Sequence, residues 1–287
     1  MPKETSENIP LYSRSIPGAR EAIDQESIES QDVTGRFVIN VSQPQLTAYW
    51  PSSKVHNGGA IVICPGGGYR GLSVDLEGHA IAVELVKLGI SAFVLKYRTP
   101  STITMDNPKM GPLQDIQQAL HIINTQATNW QINAEKIGVM GFSAGGHLAS
   151  SAAVHYNRPV PRNTVPKLLK PAFQILIYPV ISMDPAITHI QSKTLLLGEQ
   201  VSAADIRYFS NDMQVTEDSP PAFILHANDD SHVPVENSIR YYQALRKSQV
   251  PVQLLTLPHG GHGFGMYHQY TWFETLKMWL KLYDFIR

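Results

Sequence analysis

The chain has 287 residues, 43% hydrophobic and 16% charged, with a formal net charge of -1. That size suits one large α/β domain, and near-neutrality without a dense Lys/Arg run argues against nucleic acid and membrane surfaces as partners. Cys64 is the one cysteine, which excludes an intrachain disulfide and a thiolate metal cluster.

Residues 1–35 read as an extended segment, polar and turn-rich from Pro2 to Ser30, ahead of a single domain over 36–287. No apolar run reaches the ~18 residues a membrane span needs, and residues 1–30 lack the short apolar core of a secretory signal. The expectation is a soluble protein, either cytoplasmic or the mature form of an exported one.

From residue 36, short β-branched and aromatic runs alternate with longer stretches of helical period. This is the pattern of strands and crossover helices in a mostly parallel sheet flanked by helices, an α/β class. Phe37 to Val41 and Leu46 to Trp50 read as an opening antiparallel pair joined through Gln43-Pro44. Ala60 to Cys64 is uniformly apolar, as a strand covered on both faces requires. Glu77 to Leu88 sets Ile81, Leu85 and Leu88 on one helical face and stops at Gly89, and strand Ile90 to Tyr97 follows. Leu113, Ile116, Leu120 and Ile123 mark the next helix, begun after Pro112 and fading near Trp130. Strand Lys136 to Met140 follows, and then strands Ala172 to Tyr178 and Ala222 to His226, each bounded by proline. Val235, Ile239, Tyr242 and Leu245 define a helix before strand Val252 to Leu257, and helix Trp272 to Tyr283 closes the chain. Ser182 to Pro220 interrupts the alternation with short helices expected around Thr194 to Leu197 and Ala203 to Phe209. It has the size of a short cover over a site (182–220), not of a lid domain.

The chemistry-bearing residues sit at strand ends. Gly141-Phe142-Ser143-Ala144-Gly145 fits GxSxG where a strand must turn into a helix, the context that exposes a nucleophilic serine at the start of a helix dipole. Cys64-Pro65-Gly66-Gly67-Gly68-Tyr69 places glycine amides after an earlier strand, where they can meet an oxyanion. Gly67 and Gly68, with Ala144, are the candidate donors, give or take one residue of register. A phosphate-cradling loop would need a following Lys-Ser/Thr or a GxGxxG spacing, and neither is present. The acid is expected after strand Ala222 to His226, where Asp229 and Asp230 are adjacent. Asp230 has the DxxVP spacing and is preferred, leaving Asp229 as a turn carboxylate. The base is expected in Pro258-His259-Gly260-Gly261-His262-Gly263-Phe264-Gly265, with His262 preferred over His259, and His232 read as a surface residue or a wall of the entrance. A metal site from His259, His262 and His268 is the weaker reading, because the run is a glycine loop and not a helical His-x-x-x-His. No metal and no cofactor are expected. The order Ser143, Asp230, His262 defines a hydrolytic triad: His262 takes the serine proton, Asp230 holds the imidazole, and the glycine amides stabilise the tetrahedral oxyanion.

The runs CPGGGYRGLSVDLEGHAIAVELVKLGISAFVLKYR, GFSAGGHLA, SPPAFILHANDDSHVPVENS and PHGGHGFG resemble bacterial acetyl xylan esterase-like carbohydrate esterases of the α/β-hydrolase fold. The resemblance spans roughly residues 35 to 287 and the Ile9-Pro10-Leu11-Tyr12 opening. It implies the same triad and oxyanion hole and a reaction that removes small acyl groups, chiefly acetyl, from sugar hydroxyls of plant polysaccharide fragments. The expected partner is thus a small acylated carbohydrate. Tyr69 is a candidate wall of a narrow acyl pocket. Glu77 reads first as a helix-start carboxylate and second as a pocket residue, and Cys64 as a packing residue. Two rival functions stand beside this one. A prolyl-oligopeptidase-like peptidase shares the GxSxGG elbow and acid loop, but no propeller or acidic cluster for a peptide amine is evident. A catalytically silent carbohydrate-binding protein would not need competent residues at every catalytic position.

Overall fold

The computed structural model describes residues 6–32, 35–161 and 164–286. Strands β1 (Ser6–Pro10) and β2 (Ser27–Asp32) come first, then β3 (Gly35–Ile39), β4 (Gln45–Tyr49), the apolar β5 (Ala60–Cys64) and the short β6 (Gly71–Ser73). A π-helical turn over Asp75–His79 runs directly into α1 (Ala80–Lys87). There follow β7 (Ser91–Lys96), α2 (Gly111–Gln126), β8 (Ile137–Phe142), α3 (Ser143–His155) and β9 (Gln174–Ile177). The cover segment carries α4 (Ile190–Leu197) and α5 (Ala203–Phe209). The chain then runs through β10 (Ala222–Ala227), α6 (Glu236–Lys247), β11 (Val252–Leu257) and α7 (Trp272–Leu282). No helix among the described residues is long and apolar enough to cross a membrane.

Eight strands form one sheet in the order β1-β4-β7-β5-β8-β9-β10-β11, antiparallel from β1 to β7 and parallel from β7 onward. The period-2 alternation of a strand divides the core into two layers. Ala60, Val62 and Cys64 of β5 join Ile116, Leu120, Leu148 and Leu245 on the face covered by α2, α3 and α6. Ile61 and Ile63 join Ile81, Leu85, Leu276 and Trp279 on the face covered by α1 and α7. All five residues of β5 are fully buried, which explains its unbroken apolar run.

The opening hairpin expected from the sequence does not form. β4 lies between β1 and β7, and β3 instead joins β2 and β6 in a separate three-stranded sheet. Leu46 and Ala48 of β4 are fully buried in the main core, whereas β3 buries only Val38. Asn40, held at a φ of 56°, turns the chain between the two strands. The outer edge of β4 is occupied by β1, from Ser6 opposite Tyr49 to Pro10 opposite Gln45. Residues read as an extended segment therefore supply an edge strand to the main sheet. β8 also runs two residues past the expected Met140, because Gly141 pairs with Cys64 and Phe142 with Ile177. This register brings the ends of β5 and β8 side by side, and with them the glycine loop and the serine turn.

Candidate active site

Ser143 is the first residue of α3 and sits at a φ of 52°, a left-handed conformation that a residue with a Cβ adopts only where its surroundings enforce it. Packing explains the flanking glycines. A Cβ on Gly141 would lie 2.1 Å from the Gly145 carbonyl oxygen, and a Cβ on Gly145 would lie 2.1 Å from that of Cys64 and 2.4 Å from that of Pro65. The first turn of α3 thus packs backbone to backbone against both the strand before it and the loop after β5. The turn is tight because its neighbours leave no room for side chains.

Three loops then converge. His262 Nε2 lies 2.8 Å from Ser143 Oγ, and His262 Nδ1 lies 2.6 Å from Asp230 Oδ2. With the Nδ1 proton donated to the carboxylate, Nε2 is free to accept from the serine hydroxyl, the tautomer a general base needs. Asp230 is itself fixed from all sides. Its Oδ1 accepts from the backbone amides of His232 and Val233, both at 2.9 Å, and its Oδ2 also accepts from His226 Nε2 at 3.1 Å. Burial raises the Asp230 carboxyl, but the hydrogen bonds from His226 and His262 outweigh it and hold the group well below the usual carboxylate range. The charged form of Asp230 is therefore the favoured one, held against His262 Nδ1.

The two alternatives weighed in the sequence lie apart from this chain of hydrogen bonds. Asp229 is exposed, accepts from the Gly261 amide at 2.8 Å and stands 3.6 Å from Nδ1 of the still more exposed His259. His232 flanks His262 with ring centroids 5.8 Å apart, at the mouth of the site. No group of three or more His, Cys, Asp or Glu side chains able to hold a metal occurs among the described residues.

The glycine loop lies against Ser143: a Cβ on Gly66 would sit 3.0 Å from Ser143 Cβ. Gly67 and Gly68 both have positive φ, 140° and 64°, which aims their amides out of the usual strand register. The Gly66 amide donates to Glu77 Oε2 at 2.8 Å. Those of Gly67, Gly68 and Ala144 meet no acceptor among the described residues, so three donors beside Ser143 are available to an oxyanion.

Neither of the other two expected pocket residues faces the cleft. Tyr69 is 2% exposed; its backbone turns inward at a φ of 61°, and its hydroxyl donates to His147 Nδ1 at 2.7 Å beneath the loop. Glu77 is 4% exposed and bonds to Gly66 and Tyr178, not to open space. Cys64 is fully buried, and burial pushes its thiol well above the ordinary range.

The supporting layer escaped the sequence reading. His226, fully buried, donates from Nε2 to Asp230 and to the Val233 carbonyl at 2.9 Å, while its Nδ1 accepts from Ser238 Oγ at 2.7 Å. A histidine inside an apolar strand was the available signal. Tyr178, at a φ of 37°, packs its ring 4.9 Å from that of His262. From the cover, Gln191 and His189 reach the glycine loop: a Cβ on Gly68 would lie 3.5 Å from Gln191 Oε1 and 3.8 Å from His189 Cε1.

Comparison with known proteins places these features in context. The BD-FAE family model matches residues 46–245. An acetylxylan esterase of Xylanibacter ruminicola is 37% identical over 86% of this chain and 50% of its own length. A protein named endo-1,4-beta-xylanase B of Butyrivibrio fibrisolvens is 35% identical over 92% of this chain and 41% of its own length. The chain thus spans half or less of the length of these curated relatives. The crystal structure of an acetyl ester-xyloside bifunctional hydrolase from Caldicellulosiruptor lactoaceticus superposes with a TM-score of 0.79 at 34% identity, covering 98% of this chain and 97% of that one.

Proposed function

Because the chain belongs to the BD-FAE family and has the α/β-hydrolase fold, we propose that it is a serine ester hydrolase that removes acetyl and other small acyl groups from carbohydrate esters. The observation that carries this reading is the continuous hydrogen-bond chain Ser143–His262–Asp230 beside three unpaired amides. In the proposed reaction, Ser143 Oγ attacks the ester carbonyl as His262 Nε2 takes its proton, and the Gly67, Gly68 and Ala144 amides hold the oxyanion. Collapse breaks the bond to the sugar oxygen, which leaves with the proton from His262. A water molecule, deprotonated in turn by His262, attacks the acyl-enzyme and releases the carboxylic acid with Ser143 restored.

Two lines support a sugar ester as substrate. The names of two relatives refer to acetylxylan and to an acetyl ester and xyloside, and a third is named a xylanase. The edge of the cover nearest the oxyanion loop is also polar: exposed Gln191 and partly buried His189 stand there, where an apolar lid would suit a long acyl chain. The test is hydrolysis of acetylated xylo-oligosaccharides, 4-nitrophenyl acetate, 4-nitrophenyl octanoate and an acetylated peptide amide side by side. Release of acetate from the oligosaccharide, with acetyl preferred over octanoyl, is expected. Preferential cleavage of the amide contradicts the reading in favour of a peptidase.

A further inference from the structure

Glu77 is a buried carboxylate that forms no ion pair with any Lys or Arg among the described residues, an arrangement that is costly unless hydrogen bonds compensate it. Its two oxygens serve different loops. Oε2 accepts the Gly66 amide at 2.8 Å, and Oε1 accepts the Tyr178 hydroxyl at 2.7 Å. The Tyr178 oxygen in turn accepts the Gly265 amide at 3.0 Å, and the Gly265 carbonyl accepts from Trp272 Nε1 at 3.0 Å. Gly66 opens the oxyanion loop, and Gly265 closes the loop that carries His262. One side chain on the π-helical turn before α1 therefore ties the two halves of the site together, with the Tyr178 ring packed on His262 between them.

We propose that Glu77 is a positioning residue that acts through Gly66 and Tyr178 to set the oxyanion donors relative to His262 and supplies an anion behind the imidazole. This rests on the reading of Ser143, His262 and Asp230 as the triad. The contacts require an acceptor at both oxygens: the Gly66 amide can only donate, and the Tyr178 hydroxyl already accepts from Gly265. An ionised carboxyl meets this demand and a carboxamide cannot. Burial is the largest influence on the Glu77 carboxyl and leaves it raised above the ordinary range; the Tyr178 hydroxyl, the Gly66 amide and the proximity of His262 oppose that rise and favour its charged form. The groups facing His262 are Asp230 and His232 from the acid loop, His189 from the cover, Tyr178 from the end of β9, and Glu77. Among them Glu77 and Asp230 are the two carboxylates, and they approach the imidazole by different routes.

The test compares Glu77→Gln, Tyr178→Phe and the double variant with wild type on 4-nitrophenyl acetate, with thermal melting to follow folding. Glu77→Gln is expected to lower kcat about 10- to 100-fold with KM nearly unchanged, since misplaced oxyanion donors weaken transition-state binding more than substrate binding. Loss of the anion disfavours imidazolium, so the acid limb of the kcat/KM profile should move about 0.5 to 1 pH unit lower. Tyr178→Phe should lower kcat in the same sense, and the double variant should lose less than the product of the single losses. A wild-type acid limb and kcat in folded Glu77→Gln overturns the proposal; if that variant does not fold, a wild-type kcat in Tyr178→Phe does so. Ser143→Ala serves as control: retained activity in it refutes the triad reading, whereas its inactivity with an unchanged Glu77→Gln refutes only the role of Glu77.

Discussion

His147 lies one turn beyond Ser143 on α3 and joins the glycine loop to the cover. It is 1% exposed; its Nδ1 accepts from the Tyr69 hydroxyl at 2.7 Å, and its Nε2 donates to the Phe209 carbonyl at 2.8 Å. The neutral ring satisfies both partners. A second proton would set an N–H against a hydroxyl and bury a charge. Burial, opposed by the Phe209 carbonyl and reinforced by His155, accordingly lowers His147 from 6.5 to about 4. The folded value lies below the unfolded one, so this stabilisation is fully present above about pH 6.5 and is lost as the pH falls toward 4. A gap of roughly 2.5 pH units at 1.36 kcal/mol per unit amounts to about 3 kcal/mol. His147→Gln cannot titrate and keeps a donor for Phe209. Urea unfolding at intervals from pH 7.5 to 4 should show wild type losing about 3 kcal/mol more than the variant over that range. His155, also lowered to about 4 by burial, remains in both proteins and cancels. Parallel stability curves would refute the reasoning, because they would mean that His147 binds the same protons folded and unfolded.

His226→Phe removes a donor from Asp230 and leaves the Ser238 hydroxyl and the Val233 carbonyl without it. It should cost about 2 to 3 kcal/mol of stability and lower kcat about tenfold, less than loss of Asp230, which the His232 and Val233 amides still hold; an unchanged melting temperature and kcat would remove His226 from the support of the site. Gln191→Ala and His189→Ala should raise KM for acetylated xylo-oligosaccharides about five- to tenfold, the size of one lost hydrogen bond, and leave 4-nitrophenyl acetate kinetics unaltered. Equal losses on both substrates would move the cover from the alcohol side of the site to the acyl side.

What the sequence could and could not convey follows from distance along the chain. The turn at Ser143 was legible because strand, glycines and helix are contiguous there, and the close approach of Gly145 to the Cys64 carbonyl explains why that position has no side chain. Asp230 and His262 were legible as loop residues after successive parallel strands, since that topology places such loops at one edge of the sheet. Strand partners were not. β3 and β4 are neighbours in sequence, yet β1 occupies the edge of β4 while β3 pairs with β2 and β6. Periodicity indicates which residues turn inward but not what they meet. Glu77 and Tyr178 are 101 positions apart, and Tyr69 and His147 are 78. Tyr69 was expected as a pocket wall; its own positive φ sends the ring into the core instead. The supporting layer is therefore where the structure adds most.

In the proposed reaction a sugar acetyl ester is cleaved through an acyl-enzyme at Ser143. Mass spectrometry of protein rapidly quenched in acid during turnover of an acetylated xylo-oligosaccharide, with acetate release followed in parallel for wild type and Ser143→Ala, tests it most directly. An acetyl group is expected on the peptide that contains Ser143 in wild type, and in Ser143→Ala neither that adduct nor more than about a thousandth of the wild-type rate. Undiminished acetate release by Ser143→Ala would contradict it.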